Sequence, residues 1–318
     1  MLFRSDQSVS PKSSKPQSRE EPVAPPAPEV ERAVGVTAPE LTALYVLNGI
    51  RGFGPQKFKQ LYEEGTSPAS VIHNPSALTL GGKRGEQLRS LIATHVATLL
   101  PECRARAARQ IATAHKLGAL ILTYRSKHYP PNVFASNNPL PILYARGAPA
   151  VLETTNVVAC VGSRAIRPPY AALQAQFART ACSSGFAVVS GFALGADTIA
   201  HKAAHDAGGK TICCMPGGLD RPFPPENRSL WEHFLKYPGA VLVSEFPFGT
   251  AASALTLRKR NKLIVAFAHG VLVAQSSAKG GAMNAFRFAL EQKKPLATFA
   301  ADSIWRSEER RVGKECRS

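Results

Sequence analysis

From about residue 101 onward, short apolar runs alternate with amphipathic stretches of roughly a dozen residues. The runs "VVACVGSR", "FAVVSG", "KTICCMPGG", "AVLVSEFPFG", "VLVAQSS" and "PLATFA" read as strands. Between them, "YAALQAQFARTACSSG", "DTIAHKAAHDAGG", "RNKLIVAFAHG" and "AMNAFRFALEQKK" carry helical periodicity. Buried strands separated by helices demand right-handed crossovers and a parallel sheet covered on both faces. The pattern predicts an α/β, doubly wound, Rossmann-like domain over residues 101–305.

Ahead of it, residues 39–100 read as a small all-α domain. Leu41, Leu44, Tyr45 and Asn48 fall on one helical stripe, "IRGFG" makes a turn, and Pro55 opens a second helix carrying Phe58, Leu61 and Tyr62. Two short helices around Gly52-Phe53-Gly54 fit a helix-hairpin-helix, whose amides would meet a nucleic-acid phosphate beside Lys57 and Lys59. They fit equally a plain bundle in which the glycines only make the turn. Residues 1–38, rich in Pro, Ser and Glu, lack the apolar content to offset their ordering entropy and read as a disordered leader. Residues 306–318, "RSEERRVGKECRS", break the apolar rhythm and read as adapter-derived sequence, as does "LFRS" near the start.

Charge sharpens the picture. The chain has 318 residues and a formal net charge of +17, which favours a polyanionic partner. No apolar run reaches the roughly 20 residues of a membrane span, and the first thirty residues hold no signal-peptide core, so a cytoplasmic protein without a membrane role is expected. The six cysteines form no CxxC pair and have no histidines at zinc spacing; Cys213 and Cys214 are expected on opposite faces of one strand. No metal or cofactor is implied.

In an open parallel sheet the ligand site lies beyond the carboxyl ends of the strands. Small residues gather there: Gly162-Ser163-Arg164, Ser190-Gly191, Gly195, Gly217-Gly218, Ser244-Glu245 and Ser276 to Gly281. Glycines at helix starts expose amides, and Arg164 adds a forked donor matched to phosphate oxygens. Arg258, Lys259, Arg260 and Lys262 surround Asn261, with Lys279 following, more cations than one nucleotide needs.

The order and spacing of "VGSR", "VVSGFALGADTIAHKAA", "GGLDRPFPPENRSL", "SEFPFG", "RKRNKLIVAFAHGVLVAQ" and "KGGAMNAFRFALEQKKPLATFA" resemble the DNA-processing protein A (DprA/Smf) family over about residues 39–300. The resemblance implies sequence-independent single-stranded DNA binding, assistance in loading a RecA-type recombinase, and a homodimer. It implies a DNA-contacting pocket at Gly162, Ser163, Arg164, Ser190, Gly191, Phe192, Gly195, Gly217, Gly218, Asp220, Asn227, Arg260 and Asn261. Lys262 and Lys279 add charge to it. Phe223 reads either as a base-stacking ring or as a packed loop aromatic. The chain departs from the family at Leu257-Arg258, Lys262, Gln275 and Lys279-Gly280-Gly281.

A phosphoribohydrolase-like enzyme of a related Rossmann fold is the alternative, suggested by "CMPGGLD". The Gly-Thr and following helix of such enzymes are replaced here by Leu219 to Pro224. Asp197, Glu226 and Glu245 are the candidate acids, and Asp197 with His201 falls at a packing spacing. Without a GxxxxGK[ST] motif, ATP hydrolysis is not expected, and the reading is a non-enzymatic binder.

Overall fold

A computed structural model describes residues 24–300; residues 1–23 and 301–318, which include the suspected adapter segments, lie outside the described residues. The chain begins with helices α1 (Pro28–Val34), α2 (Ala38–Asn48), α3 (Pro55–Glu63), α4 (Pro68–His73) and the long α5 (Gly82–Leu117). Proline stands in the first turn of each of the first four, where its missing N–H costs nothing and its fixed φ suits a helix start. Gly118 closes α5 in the left-handed conformation. Leu44, Leu47, Phe53, Phe58, Leu61 and Ile92 form the core of this helical lobe.

Two boundaries differ from the sequence reading. The segment assigned to a disordered leader contains α1, and Val34 and Val36 are buried against α2, α5 and the first strand. A polar average over 38 residues hid this short apolar stretch. The edge drawn at residue 100 falls inside α5, which continues through Pro101 without a break.

Among the described residues one eight-stranded sheet follows, from β1 (Ala119–Leu122), β2 (Leu143–Gly147), β3 (Val157–Val161), β4 (Ala187–Ser190), β5 (Thr211–Cys214), β6 (Ala240–Ser244), β7 (Gly270–Val273) and β8 (Leu296–Ala297). Its order is β1-β2-β6-β5-β4-β3-β7-β8. The six strands from β6 to β8 are parallel, while β1 and β2 form an antiparallel edge on β6. Helix α6 (Pro131–Ala135) lies between β1 and β2, and the crossovers carry α7 (Pro168–Ser183), α8 (Ala196–Asp206), α9 (Arg228–Phe234), α10 (Ala254–Phe267) and α11 (Ala282–Glu291). This is the expected mostly parallel, Rossmann-like fold.

Alternating strand residues feed two cores. Ala159, Val161, Val189 and Ile212 pack under α10 and α11, whereas Cys160, Val188 and Leu272 pack under α7 and α8. Each buried valine or leucine contributes about 1.5–3 kcal/mol. Cys213 and Cys214 divide between opposite faces as small apolar residues. The chain turns left and right from β3, so the topological switch point lies between β3 and β7.

Candidate nucleic-acid interface

At the switch point the turn after β3 is held by its neighbours. Ser163 N donates to Gln275 O at 2.7 Å, Ala196 N donates to Ser163 O at 3.1 Å, and Arg167 N donates to Gln275 Oε1 at 2.8 Å. Gly162 must be glycine, since a β-carbon there would stand 2.7 Å from Ala196 Cβ. Gly195, with φ +75°, lets the start of α8 pass against the Arg164 carbonyl.

This arrangement alters the expected chemistry. The amides of Ser163, Ala165 and Arg167 are committed internally, and α7 opens on Pro168 and Pro169, which lack an N–H. Those three amides are therefore not open to an anion, which leaves the turn's side chains and the amides of Arg164 and Ile166. Exposed Arg164 stands with Ser163, Arg258, Asn261, Ser276 and Ser277 around a cleft of about 480 Å³, closed on one side by Gly280 and Gly281 at the start of α11.

Beneath this cleft, Arg260 is only 5% exposed. Its guanidinium donates to the carbonyls of Gly191 and Cys214, and its Nε donates to Asn261 Oδ1 at 3.1 Å. Asp197, also buried, accepts from Ala193 N at 3.3 Å. Burial pushes its carboxyl pKa up, against the opposing pull of Arg260, and burial likewise lowers that of Arg260. Arg260 thus lines the cleft from below while it clamps β4 to β5. Gly191 is glycine because a β-carbon would strike that guanidinium.

The ends of β4, β5 and β6 close on themselves in the same way. Ser190 Oγ donates to Cys160 O at 2.5 Å and Ser244 Oγ to Gly217 O at 2.7 Å. Asn227 donates to Phe192 O and to Thr198 Oγ1, both at 2.9 Å. Phe192 is fully buried against His201, Trp231 and Phe234, at φ +61°. Asp220 Oδ1 accepts from Gly249 N at 2.8 Å, and a β-carbon on Gly218 would meet Pro247 O at 2.7 Å. Thus Ser190, Phe192, Asp220 and Asn227 brace the loops rather than face the cleft. Phe223 is half-buried and meets no other ring among the described residues, which leaves both its readings open.

Helix α10 starts on a capping box, Ser253 Oγ accepting from Thr256 N and Thr256 Oγ1 from Ser253 N. The predicted cation row does not share one side of it. Leu257, Arg258 and Asn261 line the cleft, whereas Lys259 and Lys262 line a cavity on the opposite side, with Lys262 Nζ 5.1 Å over the Phe288 ring. A helix turns about 100° per residue, so consecutive cations must diverge. Lys279 is exposed on the loop before α11, beside rather than in the cleft lining. Ser276 and Ser277, from the small-residue run singled out after β7, line it, as does Asn284, which the sequence reading did not name.

In the helical lobe, α2 and α3 are joined by the predicted turn, whose Phe53 is buried, and α2 packs on α5 and α4. Lys59 lies 3.9 Å from Glu63 and 4.8 Å over the Phe134 ring, so it is packed. Of the candidate acids, Glu226 is exposed and Glu245 faces the second cavity. Among the described residues no three His, Cys, Asp or Glu side chains converge on a metal-sized site, and no helix is long and apolar enough to cross a membrane.

A doubly wound sheet with an arginine-flanked cleft at its switch point defines a Rossmann-like protein whose open strand ends suit an anion. The sequence model of DNA recombination-mediator protein A matches residues 120–312, and the chain belongs to that family. It is 30% identical over 184 residues to the DNA processing protein DprA of Bacillus subtilis, covering 58% of this chain and 61% of that protein. It is 34% identical over 167 residues to protein Smf of Escherichia coli, covering 52% of this chain and 44% of that protein. These alignments thus span less than two thirds of either relative. The fold is similar to that of Streptococcus pneumoniae DNA processing protein A, with TM-score 0.62, 22% identity and coverage of 88% of this chain and 93% of that one. It is also similar to Helicobacter pylori DNA processing protein A, described for its single-stranded DNA binding mode, with TM-score 0.55, 24% identity and coverage of 63% and 89%.

Proposed function

We propose that this chain binds single-stranded DNA through its backbone, without base preference, and assists loading of a RecA-type recombinase as a non-enzymatic, cytoplasmic homodimer. The observation that carries this reading is the switch-point cleft: Arg164 and Arg258 flank it, and Ser163, Ser276 and Ser277 add hydroxyls suited to phosphate oxygens. The net charge of +17 supplies a field that attracts a polyanion. Family membership and the binding mode described for the Helicobacter pylori protein support the same conclusion.

A binding role also suits the carboxylates. Asp197 lines the switch-point cleft but is buried and lies within the field of Arg260, and the Gly217-Gly218 turn is closed by Ser244 and Pro247. Filter binding of single-stranded DNA, duplex DNA and mononucleotides at two salt concentrations tests the reading. Single strands should bind tightest, and contact with about five phosphates gives a log-log salt slope near about −3.5. A salt-independent affinity, or preference for a mononucleotide in the switch-point cleft, overturns it.

A further inference from the structure

On the side of α10 turned away from the cleft, a cavity of about 610 Å³ opens between the helical lobe and the sheet. That size suits a small organic ligand. Lys259 and Lys262 stand on its α10 wall, and Glu245, at the end of β6, lies within their electrostatic reach. Arg106 of α5 reaches in from the opposite wall, 4.4 Å over the Tyr45 ring. Leu263 and Phe288 give it an apolar floor.

Two polar groups of the lining, Glu245 and Gln292, lack a hydrogen-bond partner among the described residues. Glu245 makes no hydrogen bond or close ion pair with a described residue, although burial has removed enough water to raise its pKa against the pull of both lysines. Lys262 lies over the Phe288 ring and within electrostatic reach of Glu245. The side-chain oxygen of Gln292, also in the cavity lining, is buried without a donor. An ionised carboxylate in such a place accepts only, so it selects a ligand edge made of donors. Lys259, Lys262 and Arg106 outnumber Glu245 and Glu291 in the lining and favour negative charge, and the Leu263 and Phe288 floor favours a flat apolar body.

We propose that this interlobe cavity binds a guanine nucleotide, Glu245 accepting from the base and Lys259 and Lys262 holding the phosphate. Guanine presents two adjacent N–H donors, N1–H and N2–H, to one carboxylate. Adenine places an acceptor, N1, beside its amino group, and that lone pair opposes Glu245. The inference does not rest on the DNA reading, because the two sites occupy opposite sides of α10.

Isothermal titration of the full chain with GMP, AMP and inorganic phosphate tests it, with single-stranded DNA binding measured on the same samples. GMP should bind saturably, and AMP and phosphate at least tenfold more weakly. Glu245→Gln should abolish the preference for GMP over AMP, and Lys262→Gln, at an exposed side chain, should weaken both nucleotides about tenfold. Arg164→Ala should leave GMP affinity unchanged. Absence of saturable GMP binding, equal affinity for GMP and AMP, or loss of GMP binding in Arg164→Ala overturns the proposal. Thermal melts of each variant identify any that fail to fold, and Lys262→Gln then carries the test alone. DNA binding that fails while GMP binds, or the reverse, separates the two readings.

Discussion

At the ends of β3 and β7, Arg164 and Ser277 reach solvent; at the ends of β4, β5 and β6, Ser190, Asn227 and Ser244 turn inward to backbone carbonyls. Both regions are built from the same small and polar residue types. The difference comes from what lies behind them. The first region is where the chain diverges from β3 in two directions, which leaves a gap between neighbouring loops. The second has loops that stack on one another, and Arg260 fills the space that would otherwise be open. Polar strand ends are thus of two kinds, one open to solvent and one locking loops, and the adjacent sheet order decides between them.

The largest effect that sharpens this contrast should come from His201, behind the closed region. Burial holds its pKa at about 3, against an ordinary 6.5, with Arg260 adding to the shift. The folded state therefore binds fewer protons than the unfolded state between these values, and stability falls as pH drops below 6.5, by up to about 4–5 kcal/mol. Asp197 has a raised pKa and acts in the opposite sense, its contribution to stability fading as pH rises through that raised value. Urea unfolding from pH 7 to 4 should show a steeper acid loss for the wild type than for His201→Asn. Equal slopes would mean that His201 is reached by water.

Next in size is Arg260→Ala, which leaves the carbonyls of Gly191 and Cys214 and the Asp197 carboxylate without a cation. Removing one member of a buried charged pair costs about 3–5 kcal/mol. A variant that melts within a degree of wild type but loses DNA affinity would reverse the assignment and make Arg260 a ligand contact. Arg164→Ala tests the open region: DNA affinity should fall by about 1.5–3 kcal/mol for every sequence, while unfolding free energy changes by less than about 0.5 kcal/mol. Altered base preference in a filter-binding comparison would argue against backbone recognition. The smallest effect is expected for Asn227→Ala, about 1–3 kcal/mol of stability from the donors lost to Phe192 O and Thr198 Oγ1. Its DNA affinity should match wild type once the folded fraction is accounted for.

The sheet was legible because its inner strands are buried on both faces. Val157–Val161 and Ala240–Ser244 can be little else when glycine-rich turns and amphipathic helices bound them. The pairing of β1 and β2 was not legible, since an antiparallel edge depends on contacts between Leu120 and Ala145 that no local period reveals. Helix α10 begins six residues before the stretch first read as helical, because its capping box lies at Ser253 and Thr256, outside the apolar run. For the site, Gly162, Ser163, Arg164, Arg260 and Asn261 were grouped together from the sequence, and all five line the cleft. What the sequence could not show for Arg260 is that its guanidinium, at the cleft, is buried and bonded to carbonyls, because a buried guanidinium and an exposed one have the same sequence signature. Lys262 was misplaced because charge density along the chain carries no information about which way a helix points each residue.

Helix α5 deserves a mechanical reading. Its 36 residues extend about 54 Å at 1.5 Å per residue, and it leads through Gly118 directly into β1. Across the same junction, the phenols of Tyr45 and Tyr144 are hydrogen-bonded at 2.6 Å, both buried. The helical lobe is consequently less a pendant module than a handle forged onto the edge of the sheet. Shortening the chain to start at residue 101 would cut through the middle of that handle and leave Tyr144 facing water with its partner gone.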